Sequence, residues 1–314
     1  MLGKTAGGLF WMFRYLERSE NTARLIEAGL RIALTRSGST DEEWISVMQT
    51  AAVLDGYNAA YDGVVTRDQV IDWMLRDRDN PSSVLNAVEY ARNNAKTVRT
   101  ALTREVWEAV NECWMSLKSA LARKVAERDL PHVLQLIRQR SAYVRGALHG
   151  TMLRNDIYNF ARIGTFSERA DNTARILDVK YYVLLPSAMA VGSSLDNVQW
   201  QTILRSVSAE GGFQMAYGQD PRPREIAQFL ILDRRMPRSL AFCIEKIRAN
   251  LGYLMSDYQT RLPCHDLAEK LALQTMQSSI DEIFDTGLHE YIQLFLKDNA
   301  LLGQQIEVDY RFTQ

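Results

Sequence analysis

Little in this 314-residue chain belongs to specialised chemistry. It has three cysteines, Cys113, Cys243 and Cys264, odd in number and far apart. That spacing excludes a disulfide framework and a CxxC metal or redox site. It suits a reducing compartment, so a cytoplasmic protein is expected. Histidines number four. Cys264-His265-Asp266 and His289-Glu290 bring metal-ligand types together, but without the paired ExxH of di-iron bundles or the HExxH of zinc proteases, so no metal is expected. No GxxxxGK[ST] loop, GxGxxG or GxSxG occurs. The common phosphate cradle, dinucleotide turn and serine elbow are thereby excluded, and no cofactor is expected. Long apolar runs are also missing: Leu9–Phe13 (LFWMF) is met at once by arginine and glutamate. It is too short for a membrane span or the core of a secretion signal. A formal net charge of −1 carries no electrostatic footprint for nucleic acid or an acidic membrane, and neither is expected as a partner.

What the chain has in plenty is arginine, 29 against eight lysines, in a composition 46% hydrophobic and 24% charged. These proportions are those of a globular protein long enough for two cores. Arginine tolerates partial burial and makes forked contacts to carboxylates, so the bias points to internal ion pairs or anion recognition.

The chain also repeats itself. Glu17–Arg24, ERSENTAR, returns 151 residues later as ERADNTAR, Glu168–Arg175. From Trp44, WISVMQTAAVLDGYNAAYDG resembles WQTILRSVSAEGGFQMAYG from Trp200, now at a spacing of 156. In that register Gly56 meets Gly212, Tyr57 meets Phe213 and Tyr61 meets Tyr217; DRDNPSS (Asp77–Ser83) then meets DRRMPRS (Asp233–Ser239). The added residues fall in LPSAMAVGSSLDN, 185–197, where proline, glycine and paired serines break helices. We read a tandem duplication, residues 1–150 and 151–314.

Amphipathic periodicity and capping signals predict an all-α fold of two tandem-duplicated helical bundles, packed closely about a pseudo-twofold axis. A long helix is expected from Thr5 to Thr35, and a capping box at Ser39/Thr40 and Glu42/Glu43 opens the Trp44 helix. Asn80-Pro81 reads as an N-cap with proline in the first turn. Further helices are expected over Arg104–Glu127 and Pro131–Ala147, then through the second octet to Leu185, from Leu195, Pro223 and Pro237, and over His265–Ile283 and Leu288–Leu302. The tail IEVDYRFTQ reads as a short extended arm.

At about 100° per residue, Arg14, Glu17, Arg18, Asn21 and Arg24 share one broad helical face. Glu168, Arg169, Asn172 and Arg175 repeat it. One reading is a buried polar network, each carboxylate satisfied by arginines of a neighbouring helix. The other is a ligand site: Arg18 and Arg24 for a carboxylate or phosphate, with Glu17 or Glu168 as weak candidates for a general base. The two proline turns offer a further anion-binding set, Ser83, Arg238 and Ser239 at helix N-termini, against the alternative that the serines merely cap.

The segments TAGGLFWMFRYLERSENTARLIE, FARIGTFSERADNTARILDVKYYVLL and ILDRRMPRSLAFC resemble the alpha-E family of all-helical bacterial proteins, named for the Glu-Arg pair. The matching positions are Trp11, Arg14, Tyr15, Glu17 and Arg18, with Glu168, Arg169, Asn172 and Arg175. Thr165 stands opposite Arg14, so the two copies are not equivalent. The resemblance implies a context: circularly permuted ATP-grasp carboxylate–amine ligases, transglutaminase-like proteins and an NTN-type peptidase in peptide synthesis or modification. This chain would be the non-catalytic helical component, holding a ligase partner or presenting a peptide or carrier. The alternative is an enzyme subunit using Glu17 or Glu168 as acid-base, with octet arginines binding the substrate. No oligomeric state follows from the residues.

Overall fold

The structure, a computed structural model, describes residues 2–35, 41–183, 194–219 and 222–313. Among these the regular structure is all helical, without a strand. A long α1 (Gly3–Thr35) leads to the short α2 (Asp41–Thr50), α3 (Leu54–Ala60) and α4 (Arg67–Leu75). Then come α5 (Val84–Thr97), α6 (Arg104–Ala120) and α7 (Leu130–Thr151). The second long helix is α8 (Asp156–Val183), followed by α9 (Ser194–Ser206), α10 (Glu210–Tyr217) and α11 (Pro223–Ile231). The chain ends with α12 (Leu240–Tyr258), α13 (Pro263–Gln277), α14 (Ile280–Thr286) and α15 (Leu288–Asp309).

Helices α1 and α8 lie against each other at the centre. α5 and α7 flank α1, with α6 packed on both; α12 and α15 flank α8, with α13 packed on both. The short helices cross over, α2 onto α8 and α9 onto α1. One continuous core results, drawing Phe10, Phe13 and Trp44 together with Phe160, Phe166 and Trp200. The central crossing depends on a glycine: a Cβ on Gly164 would overlap the carbonyl oxygen of Phe10, so the α1 and α8 backbones touch there.

The two proline turns share one hydrogen-bond plan. Asp77 Oδ1 accepts the Asp79 N–H at 2.9 Å, and Asp233 Oδ1 accepts the Arg235 N–H at 2.8 Å. The Ser83 N–H donates to Asn80 O at 3.0 Å, and the Ser239 N–H to Met236 O at 2.9 Å. Each serine then caps the next helix, Ser83 Oγ accepting from Asn86 N and Ser239 Oγ from Phe242 N.

Several sequence expectations need correction at element ends. The cap of α5 is Ser83 and not Asn80. The buried Asn80 amide instead donates to Trp73 O at 2.9 Å, supplying a partner to a carbonyl at the end of α4. α6 stops at Ala120, short of Glu127, where Arg76 reaches across to the Leu121 carbonyl. Ser278 and Ser279 break the helix expected over His265–Ile283, Ser279 and Glu282 forming a capping box that starts α14. The tail is helical to Asp309 rather than an extended arm. Tyr310 and Phe312 then fold onto Phe160, which keeps the last turn on the core. The Ser39/Thr40 capping signal and most of the 185–197 insertion lie outside the described residues.

Candidate functional site

Because α1 stays helical through its octet, the Glu17 face is turned onto α8 and onto the turn before α12. Glu17 is 1% exposed. Its Oε1 accepts Arg169 Nε at 2.9 Å and Arg238 Nη1 at 3.1 Å. Its Oε2 accepts Arg169 Nη2 at 3.0 Å and Arg145 Nη1, from α7, at 3.5 Å. Glu20, equally buried, accepts from Arg24 at 2.6 Å, from Arg238 Nη2 at 2.9 Å and from Arg145. Arg238 also donates to Asn21 Oδ1 at 3.2 Å, and Arg169 to the Pro237 carbonyl at 3.3 Å.

On the α8 side the pairing is crossed. Glu168 Oε1 accepts Arg18 Nε at 2.6 Å, and its Oε2 accepts Arg18 Nη2 at 3.1 Å and Arg14 Nε at 2.9 Å. The Glu-Arg pair of α1 therefore binds that of α8 reciprocally, Glu17 with Arg169 and Arg18 with Glu168. Arg175 holds Asp171 one turn along, at 2.7 Å, as Arg24 holds Glu20.

The electrostatics follow from this crowding. Burial pushes the Glu17 carboxyl up, but Arg169, Arg238 and Arg145 outweigh it and hold it far below the usual carboxylate range. Burial likewise opposes ionisation of Glu168, and Arg18 and Arg14 bring it down to about 2. Arg169 is raised, Glu17 overcoming the effect of burial. Burial prevails at Arg238, lowered to about 10 and still charged at neutral pH. Glu17, Glu20 and Glu168 are therefore anions in the physiological range.

The two sides differ in closure. Glu17 and its partners Arg169 and Arg238 are 1%, 11% and 8% exposed. Beside Glu168 lies a cavity of about 290 Å³ between α1, the end of α2 and α8, lined among others by Arg18, Asn21, Ser82, Asp171, Asn172 and Arg175. Arg14 and Arg18 border it and are 18% and 26% exposed. Of the expected octet residues, Glu17, Asn21, Arg24 and Arg169 fall in one cluster with Arg238, and Glu168 in a second with Arg14 and Arg18; Arg175 pairs only with Asp171, and Asn172 lines the cavity. The other expected anion set is not brought together: Ser83 and Ser239 are caps, and Arg238 is the interior bridge between Glu17 and Glu20. His265 is taken up by backbone groups of Leu262 and Leu251, and His289 by Asp178. The spacing of four between Glu20 and Arg24 already marks them as a helical ion pair, which the structure contains; the burial of Glu20 and the part played by Arg145, which has no repeat to mark it, were not foreseen.

A family model described as a predicted alpha-helical domain with a conserved ER motif, Alpha-E, matches residues 1–310. The chain belongs to the Alpha-E family. Both octet Glu-Arg pairs, Glu17-Arg18 and Glu168-Arg169, lie within the matched residues. It is also similar, at 24% identity over 265 residues, to the uncharacterized proteins Mb2597 of Mycobacterium bovis and Rv2567 of Mycobacterium tuberculosis H37Rv. The similar region covers 77% of this chain but 29% of each relative, so this Alpha-E chain spans less than a third of their length. No solved structure matches it. Among the described residues no helix is long and apolar enough to cross a membrane.

Proposed function

We propose that this Alpha-E chain is a non-catalytic helical interaction protein of the cytoplasm, made by duplication of one bundle whose ER helices meet about a pseudo-twofold axis. In this reading it partners a circularly permuted ATP-grasp carboxylate–amine ligase and a transglutaminase-like protein, holding the ligase and presenting a peptide. The observation that carries it is the reciprocity of Glu17–Arg169 and Arg18–Glu168. Two copies related by a twofold exchange such pairs as a matter of symmetry. The α2-on-α8 and α9-on-α1 crossovers have the same exchanged form, and the two proline turns repeat one hydrogen-bond plan.

Carboxylates held ionised by two or three arginines are poorly matched to general-base work, which needs a pKa near the operating pH. Their geometry supports a lock. The mycobacterial relatives, in which the similar region is a minor part of a longer chain, fit a module working beside other domains. Co-expression with the ATP-grasp ligase tests the reading: the two should co-purify at fixed stoichiometry through size exclusion. Separate elution, or substrate turnover by the isolated chain that disappears in Glu168→Gln, would favour the enzyme reading instead.

A further inference from the structure

Arg238 occupies a seat made entirely of acceptors. Its Nη1 donates to Glu17 Oε1 and Asn21 Oδ1, and its Nη2 to Glu20 Oε1. In the repeat register the counterpart of Arg238 is Ser82, and the counterparts of Glu17, Glu20 and Asn21 are Glu168, Asp171 and Asn172. All four counterparts line the cavity. The correspondence extends to atoms. Glu17 Oε1 accepts both Arg169 Nε and Arg238 Nη1, whereas Glu168 Oε1 accepts Arg18 Nε alone. The Asp171 carboxylate has Arg175 and no second cation among the described residues, and no described residue donates to Asn172. A serine stands where the other half places a guanidinium, and the acceptors that would hold it are still present.

We infer that the cavity between α1, α2 and α8 is a recognition site for a guanidinium group, seated on Glu168, Asp171 and Asn172 as Arg238 is seated on Glu17, Glu20 and Asn21. This rests on the duplication proposed above. Charge does not forbid it. Glu17 and Glu20 already accommodate Arg24, Arg145, Arg169 and Arg238, while Glu168 and Asp171 carry only Arg14, Arg18 and Arg175. One more cation brings the open side level with the closed one. The cavity wall also holds the Asn21 side chain, 2% exposed, whose Nδ2 has no partner. A buried donor left unpaired is costly, and an oxygen on the ligand would satisfy it. A guanidinium with an oxygen acceptor within reach is the chemistry of arginine, free or within a peptide. A volume of about 290 Å³ admits one such side chain and little more.

Calorimetric titration of the full chain with agmatine, L-arginine and an arginine-containing tripeptide tests this, with L-citrulline as the uncharged isostere. At least one guanidinium probe should saturate with a Kd below about 1 mM, and citrulline should bind at least about tenfold more weakly. Preference for the tripeptide identifies a residue within a chain as the ligand, and preference for L-arginine the free amino acid. Asp171→Asn should weaken binding about tenfold. Ser82→Arg should fill the seat from within, abolishing binding and raising Tm. The proposal is overturned if no guanidinium probe saturates, if citrulline binds equally well, or if Ser82→Arg leaves binding unchanged. A raised Tm in Ser82→Arg without any binding by the wild type would sink the ligand and leave the duplication standing. A lowered Tm together with no binding would sink the positional equivalence itself.

Discussion

Replacing Glu17 by alanine removes the acceptor shared by three arginines. Arg169 would keep only the Pro237 carbonyl, while Arg238 and Arg145 would fall back on Glu20. Removing one member of a buried, hydrogen-bonded charge set costs about 3–5 kcal/mol, because the remaining charge stays desolvated. Glu20 retains two of the three arginines, which places Glu17→Ala near the lower end, about 3–4 kcal/mol. Glu168→Ala is the informative comparison. It releases Arg14 and Arg18, which border the cavity and are already 18% and 26% exposed. Water reaches their guanidinium groups, so the cost falls to about 1–2 kcal/mol. Urea unfolding of the two variants should differ by about 2 kcal/mol in unfolding free energy, read as a shift of the midpoint at unchanged slope. At roughly 2 °C per kcal/mol for a chain of this size, Glu17→Ala should lower Tm by about 6–8 °C. The Glu17→Ala/Arg169→Ala double variant should be less destabilised than the sum of its singles by about 1–3 kcal/mol. Equal costs for the two glutamates, or a smaller one for Glu17, would refute the division into a closed and an open side.

Acid should unlock the crossing. Glu17 and Glu168 have folded pKa values below their unfolded ones, so their stabilisation is complete above about pH 4.5 and is lost as pH falls, for Glu168 toward about 2. The urea midpoint should therefore drop steadily below about pH 4.5, and a flat profile down to about pH 3 would count against the network. Gly164→Ala drives a methyl into the Phe10 carbonyl and should cost about 3 kcal/mol or prevent folding, read by circular dichroism and thermal melting. Ser83→Ala should cost about 1 kcal/mol as a lost cap, and Ser239→Ala more, since that hydroxyl also donates to Asp233 O at 2.6 Å. Equal melting points for the two serine variants would contradict that assignment.

The helical class and the meeting of the two octets were legible from sequence, because both rest on local periodicity and on a repeated charged motif that a solvated face would not need to keep. Helix ends were less legible. Asn80 has the composition of a cap, but its amide is needed by the Trp73 carbonyl, a contact seven residues back that no cap rule contains. The tail IEVDYRF has extended-strand residue types, yet Ile306, Tyr310 and Phe312 reach the core only if the helix continues to Asp309. Arg145 and the cavity were invisible for a different reason. One joins the octet from a helix with no motif of its own, and the other is an absence, a serine in the place of an arginine.

That absence bears on why charges are buried here at all. A buried ion pair gains little stability over apolar residues of the same volume; its best-attested use is to fix register. Sliding α1 along α8 by one helical turn, about 5.4 Å, would break Glu17–Arg169 and Arg18–Glu168 together. With the register set by the closed side around Glu17, Glu20, Arg145 and Arg238, the open side need not contribute as much to holding the helices. Its acceptors can face a cavity without loosening the crossing, provided the neighbouring arginines keep them ionised. If the two halves are copies, as proposed, a lock on one side and a free acceptor set on the other is the division expected when one of two similar sites keeps the structural task and the other is released from it.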